Sequence, residues 1–85
     1  MPGPRVSVGI PVYNGEAYLG EAIRSVQAQT LRDLEILISD NGSTDASPEI
    51  AERFASEDPR IRFVRQSENR GAAWNYNEVL RMAQA

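Results

Sequence analysis

One carboxylate lies where it could contact a ligand. Asp40 ends the apolar run "LEILIS" (34–39) and opens the polar segment "DNGSTD" (40–45). A carboxylate at a strand end can accept a hydrogen bond from the imide N–H of a base or from ribose hydroxyls. The same residue before Asn-Gly is also typical of a solvated Asx-turn without a ligand. The residue types leave both roles open for Asp40, whereas Asp45 is interpreted as structural, because it precedes a predicted helix.

A second polar segment, "PVYNG" (11–15), follows the first apolar run. Pro11 fixes the backbone and removes one donor as the strand ends. Tyr13 is able to stack on an aromatic base or simply to pack against the protein. The segment leads into a predicted helix, whose free N–H groups favour an anion such as a diphosphate. Glu16 lies at that helix start, where the helix dipole is the simpler explanation for its charge.

A third polar segment, "SENRG" (67–71), precedes the last predicted helix. Arg70 suits phosphate recognition by bidentate hydrogen bonding, although an ordinary surface arginine explains it equally well. Gly71 is predicted to help begin the helix, and Trp74 is predicted to pack. Each of the three polar segments contains a glycine, which permits close backbone approach or unusual dihedral angles.

Several classes of site are excluded by residues that the chain lacks. It contains no histidine and no cysteine, which rules out a Ser-His-Asp triad, a histidine-ligated zinc and a disulfide within the chain. Neither G-x-G-x-x-G nor G-x-x-x-x-G-K-[ST] occurs, so the dinucleotide fingerprint and the P-loop are absent. Catalysis would have to use carboxylates, arginine, hydroxyls, backbone groups or a hard metal ion.

Hydrophobic periodicity predicts the order β-α-β-α-β-α. Strands are predicted over 5–13, 34–39 and 60–66, and helices from Glu16 to 27–30, from Ser47 to about 57, and from Ala72 to the chain end. Ser47, followed by Pro48 and Glu49, is predicted to be an N-cap. Short connections favour a three-layer, Rossmann-like α/β fold with a parallel sheet. In such a sheet the strand ends that carry the three polar segments share one edge, where ligands bind.

Length and charge limit the possible partners. The chain has 85 residues and a net charge of −3, which allows one domain and gives no indication of nucleic-acid binding. No signal peptide and no run near ~18 apolar residues is visible, so a cytoplasmic location is expected. A sheet of three strands is small and leaves an open edge, so we expect a truncated domain and consider a homodimer through that edge.

The segments "PVYN", "SVQAQT", "DNGSTD" and "ENRG" occur in an order that resembles family 2 glycosyltransferases with the GT-A fold. The resemblance covers nearly the whole chain. It implies that residues 1–85 are the N-terminal, nucleotide-sugar-binding part of an incomplete GT-A fold. Enzymes of this family transfer a sugar from a nucleotide-diphosphate donor, commonly a UDP-sugar, to a saccharide, a lipid or another acceptor, usually with inversion.

The resemblance also implies roles for particular residues. Pro11, Val12 and Tyr13 would line the nucleobase pocket. Asp40 would contact the base, typically at N3–H of uracil.

Nearer the phosphates, the resemblance places Arg70 and Gly71, and it implies a donor contact for Glu16. The family's Asp-x-Asp metal motif and its catalytic base follow the last predicted helix, so no catalytic or metal-binding residue is expected within 1–85. Mg²⁺ or Mn²⁺ is expected in the full-length enzyme. The parent protein is expected in the cytoplasm, with the cytoplasmic face of a membrane as one possible location.

The alternative function is a non-catalytic nucleotide-binding or interaction module. A receiver-like module would need an acidic cluster at the end of the first strand, and it is disfavoured because "PVYN" has no acidic pair.

Overall fold

The computed structural model describes residues 4, 6–29 and 33–84, in which six elements follow one another. The elements are β1 (Val6–Val12), α1 (Leu19–Gln27), β2 (Leu34–Asp40), α2 (Ser47–Glu57), β3 (Ile61–Arg65) and α3 (Ala72–Met82). The strands form one parallel sheet in the order β1-β2-β3. The predicted order of elements and the predicted parallel sheet are therefore confirmed.

Most element boundaries lie within one or two residues of the prediction, but α1 begins later. The helix starts at Leu19 instead of Glu16. Residues 16–18 form a turn in which the N–H groups of Tyr18 and Leu19 both donate to Gly15 O. α3 ends at Met82, short of the predicted end, because Ala83 adopts an extended conformation. Predictions for residues 5, 30 and 85 fall outside the described residues.

The central strand β2 is buried along its whole length. Its side chains alternate between the two faces of the sheet, as the pleat of a strand requires. On one face α1 and α2 cover the main apolar core. The buried members of that core are Val12, Leu19, Ile23, Leu34, Ile36, Ile38, Ala51 and Ile61.

The opposite face of the sheet is covered by α3, which packs on β1 and β2. Val79 of α3 lies directly over Gly9 of β1, where an added Cβ would overlap the valine side chain. This close approach explains why a glycine is needed in the middle of a strand. With helices on both faces, the predicted three-layer arrangement is confirmed.

Three loops lie at the carboxyl edge of the sheet. Loop 1 (13–18) follows β1, loop 2 (41–46) follows β2, and loop 3 (66–71) follows β3. Among the described strands, β1 and β3 pair only with β2, so each has one unpaired edge.

Candidate functional site

A cleft of about 460 Å³ opens at the carboxyl edge of the sheet, beside the first turns of α3. Its walls come from the end of β1 and from loops 1, 2 and 3. It is lined by Pro11, Val12, Tyr13, Asn41, Asn69, Ala72, Ala73, Asn75 and Tyr76. The three polar segments found in the sequence therefore do meet at one edge, and Pro11, Val12 and Tyr13 lie where the cleft is.

Loops 1 and 2 are interlocked by hydrogen bonds from backbone to side chain. The N–H groups of residues 14, 15 and 16 donate to Ser43 Oγ (2.8 Å), Ser47 Oγ (2.8 Å) and Asp45 Oδ2 (3.1 Å). These donors are therefore already occupied, and a carboxylate stands beside them. The diphosphate site expected at the start of this helix stays a prediction, because these three residues precede α1, which begins at Leu19.

Ser47 is not the side-chain N-cap that the sequence predicts. It lies inside the first turn of α2, and no side chain of the N-cap residue, Ala46, caps the helix. Asp45 Oδ1 instead accepts the N–H of Ser47 at 2.9 Å. Burial opposes ionisation of Asp45, but hydrogen bonds from Ser47 and from the Glu16 N–H outweigh it and lower the pKa of this carboxyl. The structural interpretation of Asp45 is confirmed, and Ser47 serves loop 1.

Asp40 lies at the base of loop 2 and is only 1% exposed. Its Oδ2 accepts the N–H of Ser43 at 2.9 Å, and its Oδ1 accepts the Ser43 hydroxyl at 2.6 Å. The solvated Asx-turn predicted as one alternative is not formed: the carboxylate is buried, and it binds the N–H three residues on instead of two. Through Ser43, which also accepts from the Asn14 N–H, Asp40 holds loops 1 and 2 together. Asp40 is not among the residues that line the cleft.

Asn41 joins loop 2 to loop 3 and was not singled out from the sequence. Its Oδ1 accepts the Arg70 N–H at 2.9 Å, and its Nδ2 donates to Asn69 Oδ1 (2.8 Å) and to Gly71 O (3.2 Å). The side chain uses an acceptor and both donors while being 2% exposed. The only signal in the sequence was an asparagine before a glycine, which is a common turn pattern.

Gly42 allows loops 2 and 3 to touch through their backbones. Its φ is +77°, and a Cβ added there would stand 2.6 Å from the carbonyl carbon of Glu68. Both the left-handed conformation and the close backbone contact require glycine. Loop 2 is thus fixed on both sides, by loop 1 and by loop 3.

Arg70 and Gly71 border the cleft without lining it. The Arg70 side chain is exposed, and its guanidinium lies 5.1 Å from the centre of the Trp74 ring, as in a cation–π contact. Gly71 has a φ of +94° and is the N-cap of α3, so its predicted part in beginning the helix is confirmed. The Trp74 ring accounts for the position of Arg70 when no ligand is bound.

Glu16 is separated from the other predicted residues. It lines a groove between α1 and α2, together with Arg24 and Phe54, whereas the cleft lies beside α3. The structure therefore brings Pro11, Val12 and Tyr13 together, places Arg70 and Gly71 at the rim, and leaves Glu16 outside.

The described residues supply neither a metal site nor a membrane span. In 4, 6–29 and 33–84, no group of three or more carboxylates is placed to hold a metal ion. Over the same ranges, no helix has the length and apolar character needed to cross a bilayer.

Comparison with known proteins agrees with the resemblance seen in the motifs. The chain is 38% identical over 78 residues to glycosyltransferase GlyG of Streptococcus pneumoniae, which covers 92% of this chain and 26% of GlyG. It is 36% identical over 81 residues to a Campylobacter jejuni enzyme, the GalNAc(5)-diNAcBac-PP-undecaprenol beta-1,3-glucosyltransferase, covering 94% and 26%. The chain thus spans about a quarter of each relative.

The fold is also found in a solved glycosyltransferase. Mannosyltransferase PcManGT from Pyrobaculum calidifontis, solved in complex with GDP-Man and Mn²⁺, matches with a TM-score of 0.85 and 32% identity. The match covers 99% of this chain and 26% of that one, and it confirms the GT-A fold. The family model "Glycosyl transferase family 2" matches residues 7–85. The chain belongs to glycosyltransferase family 2.

Proposed function

We propose that residues 1–85 form the nucleotide-sugar-binding part of a glycosyltransferase domain and that the cleft beside α3 receives the nucleotide. The observation that carries this proposal is the convergence of loops 1, 2 and 3 around the cleft. The cleft is concave and mostly apolar with a few polar groups, as ligand sites usually are. It lies at the carboxyl edge of a parallel sheet, where α/β proteins bind ligands.

The base is proposed to lie against Pro11, Val12 and Tyr13. Tyr13 is 45% exposed, which leaves its ring surface available for stacking. We propose that Asp40 recognises the base by accepting a hydrogen bond from N3–H of uracil. Each Asp40 oxygen accepts one hydrogen bond from Ser43 and can accept a second. Because Asp40 is only 1% exposed, direct contact with the base requires loop 2 to move and expose the carboxylate.

The diphosphate is proposed to bind near Arg70 and Gly71. Arg70 is exposed and is held by stacking on Trp74, so rotation of its side chain toward the cleft breaks no ion pair among those that the described residues form. A guanidinium can then form bidentate hydrogen bonds with phosphate oxygens. Glu16 lies outside the cleft, so we propose that it contacts the nucleotide sugar only where the sugar extends past loop 1.

The reaction proposed for the full-length enzyme is inverting transfer to a saccharide or lipid acceptor. A base would deprotonate the acceptor hydroxyl, which attacks the anomeric carbon while the nucleoside diphosphate leaves. Arg70 would stabilise the charge on the leaving diphosphate. The named substrate of the Campylobacter relative, a polyprenyl-linked saccharide, supports this class of acceptor.

The metal is proposed for the full-length enzyme only. Because the described residues do not fit a metal site, we derive no step through Mg²⁺ or Mn²⁺. The Mn²⁺ in the complex of the Pyrobaculum enzyme supports the use of a divalent ion. The cytoplasmic location and self-association through a free sheet edge likewise remain proposals.

Calorimetric titration with UDP and GDP tests the nucleotide assignment. We expect UDP to bind more tightly than GDP, and Asp40→Asn to weaken UDP binding by roughly tenfold, the effect of losing one hydrogen bond to a charged group. Asp33→Asn, the same substitution at the exposed amino end of β2, is the control and should leave affinity unchanged. Tighter binding of GDP would reject a UDP-sugar donor, and no binding of either at millimolar concentration would reject the site.

The alternative, a non-catalytic nucleotide-binding module, predicts the same titration but no turnover. Sugar transfer by the full-length protein with a UDP-sugar would exclude it.

A further inference from the structure

A second carboxylate of β2, Glu35, is buried on the face of the sheet that α3 covers. It is 5% exposed although it lies on the central strand. Buried carboxylates are rare unless they are paired or hydrogen-bonded. The proposed site does not use Glu35, which lies near the amino end of β2, whereas the cleft lies at the carboxyl end.

Glu35 and Arg62 together hold the C-terminal end of α3. Glu35 Oε2 accepts the Gln84 N–H at 2.6 Å and the hydroxyl of Ser7, in β1, also at 2.6 Å. Arg62, in β3, donates from Nη1 to Met82 O at 2.8 Å and to Glu35 Oε1 at 3.4 Å. Arg62 therefore binds the last carbonyl of the helix, and Glu35 binds the N–H of Gln84, two residues after the helix ends.

A second attachment fixes the other half of α3. Asn75 Nδ2 donates to Ser39 O at 2.9 Å, and the Ser39 hydroxyl donates to Asn75 Oδ1 at 2.7 Å. Ser39 and Glu35 lie on the same face of β2, because residues four apart in a strand point the same way. α3 thus runs antiparallel to β2 and is attached at both ends, with Val79 packed on Gly9 between them.

Two attachments fix both the tilt and the axial position of the helix, whereas one would leave it free to pivot about Ser39. The end nearer Ser39 carries four residues that line the cleft: Ala72, Ala73, Asn75 and Tyr76. Displacement at the far end of α3 would therefore be transmitted to the cleft wall, since a helix moves largely as a rigid element.

We propose that Glu35 is a positioning residue for the nucleotide cleft, acting through the C-terminal end of α3. The inference rests on the proposed function, because it assumes that the cleft beside α3 is where the nucleotide binds. Glu35 itself touches no part of the cleft. Its effect on the nucleotide is exerted through the orientation of α3.

The charge state of Glu35 suits this role. Burial alone would raise the pKa of Glu35, but the hydrogen bonds from Ser7, Gln84 and Arg62 outweigh it and lower the pKa. The carboxylate is therefore ionised at neutral pH. In that state it accepts from all three donors at once, which a neutral amide of the same size cannot do.

The test compares Glu35→Ala and Glu35→Gln with Ile23→Val. The last removes one buried methylene from α1, on the opposite face of the sheet, and controls for general loss of stability. Two quantities are measured in each protein: the affinity for UDP, and the NMR methyl shifts of Ala72 and Ala73 without nucleotide.

We expect Glu35→Ala to weaken UDP binding roughly tenfold, as expected when a hydrogen-bonded charge is lost, and to shift both methyl signals. Glu35→Gln should have a smaller effect on both, because its amide oxygen still accepts from Ser7 and Gln84. Ile23→Val should affect neither. If Glu35→Ala does not fold, Glu35→Gln alone decides the question.

Wild-type affinity in the Glu35 variants, with unmoved methyl signals, would overturn the proposal, as would an equal effect of Ile23→Val. If the wild-type protein does not bind UDP, the proposed function fails, and the methyl signals still decide whether Glu35 positions α3.

Discussion

At the scale of single residues, loop 2 derives its shape from side chains whose partners are distant in the sequence. Asp40 could be located from the sequence, because it ends an apolar run. Asn41 could not, because its three partners lie in loop 3, and no local pattern shows which loop an asparagine will meet. The same limit concealed the use of Ser47 by Gly15.

Asn41→Asp is expected to separate loops 2 and 3. The substitution replaces the Nδ2 donor by an acceptor that faces Asn69 Oδ1 and Gly71 O. We expect about 1–3 kcal/mol of destabilisation, the usual cost of an unsatisfied buried polar group, together with weaker UDP binding. Urea unfolding and calorimetry measure the two effects. Asn77→Asp, the same change at an exposed position of α3, should cause neither; equal effects at both positions would contradict the role of Asn41.

Gly42→Ala and Gly71→Ala separate backbone strain from close packing. Both glycines have positive φ, but an added Cβ meets the Glu68 backbone at 2.6 Å in one case and nothing within 4 Å in the other. Gly71→Ala should cost about 1–3 kcal/mol from backbone strain alone, because its φ of 94° and ψ of 151° lie in a region that is essentially restricted to glycine. Gly42→Ala should cost clearly more and also weaken UDP binding. Equal losses of unfolding free energy would show that the two loops do not touch as described.

At the scale of elements, the order and type of all six elements were predictable because hydrophobic periodicity is local. The start of α1 was not, since the N–H groups of residues 14–16 are bound by Ser43, Asp45 and Ser47, which follow the neighbouring strand β2. These tertiary hydrogen bonds keep the chain in a turn for three residues in which propensity alone favours a helix. They also occupy the backbone donors of residues 14–16, which precede α1.

The connection from α2 to β3 should make stability depend on pH. The Arg60 guanidinium binds Asp58 through Nε and Nη2, and this contact lowers the Asp58 pKa to about 2 from 3.8. Because the folded pKa is lower, the stabilisation is complete above the unfolded value near 4 and is lost as the pH falls through about 2. After allowance for solvent screening, we expect about 1 kcal/mol.

Asp58→Asn tests this directly. Urea unfolding of the variant and the wild type should differ by that amount at pH 7, and the difference should disappear as the pH approaches 2. Glu57→Gln, at the neighbouring exposed position, serves as the control. A difference that is constant from pH 7 to pH 2 would show that Asp58 acts through its shape and not through its charge.

At the scale of the whole molecule, the topology explains why the loops form a site. Parallel strands place their carboxyl ends at one edge, so the sequence was sufficient to predict that three polar segments would meet there. It was not sufficient to predict the side of the sheet on which each residue lies. Glu16 faces the groove between α1 and α2, and Asp40 lies beneath loop 2, whereas the cleft opens beside α3. Such assignments depend on how helices cover the sheet.

An NMR titration with UDP tests the central claim most directly. If the cleft beside α3 holds the nucleotide, shifts should concentrate at Pro11-flanking amides, Tyr13, Asn41 and 70–76, with little change along α1 and α2. Shifts confined to the groove that contains Glu16, or no shifts at millimolar UDP, would contradict the account.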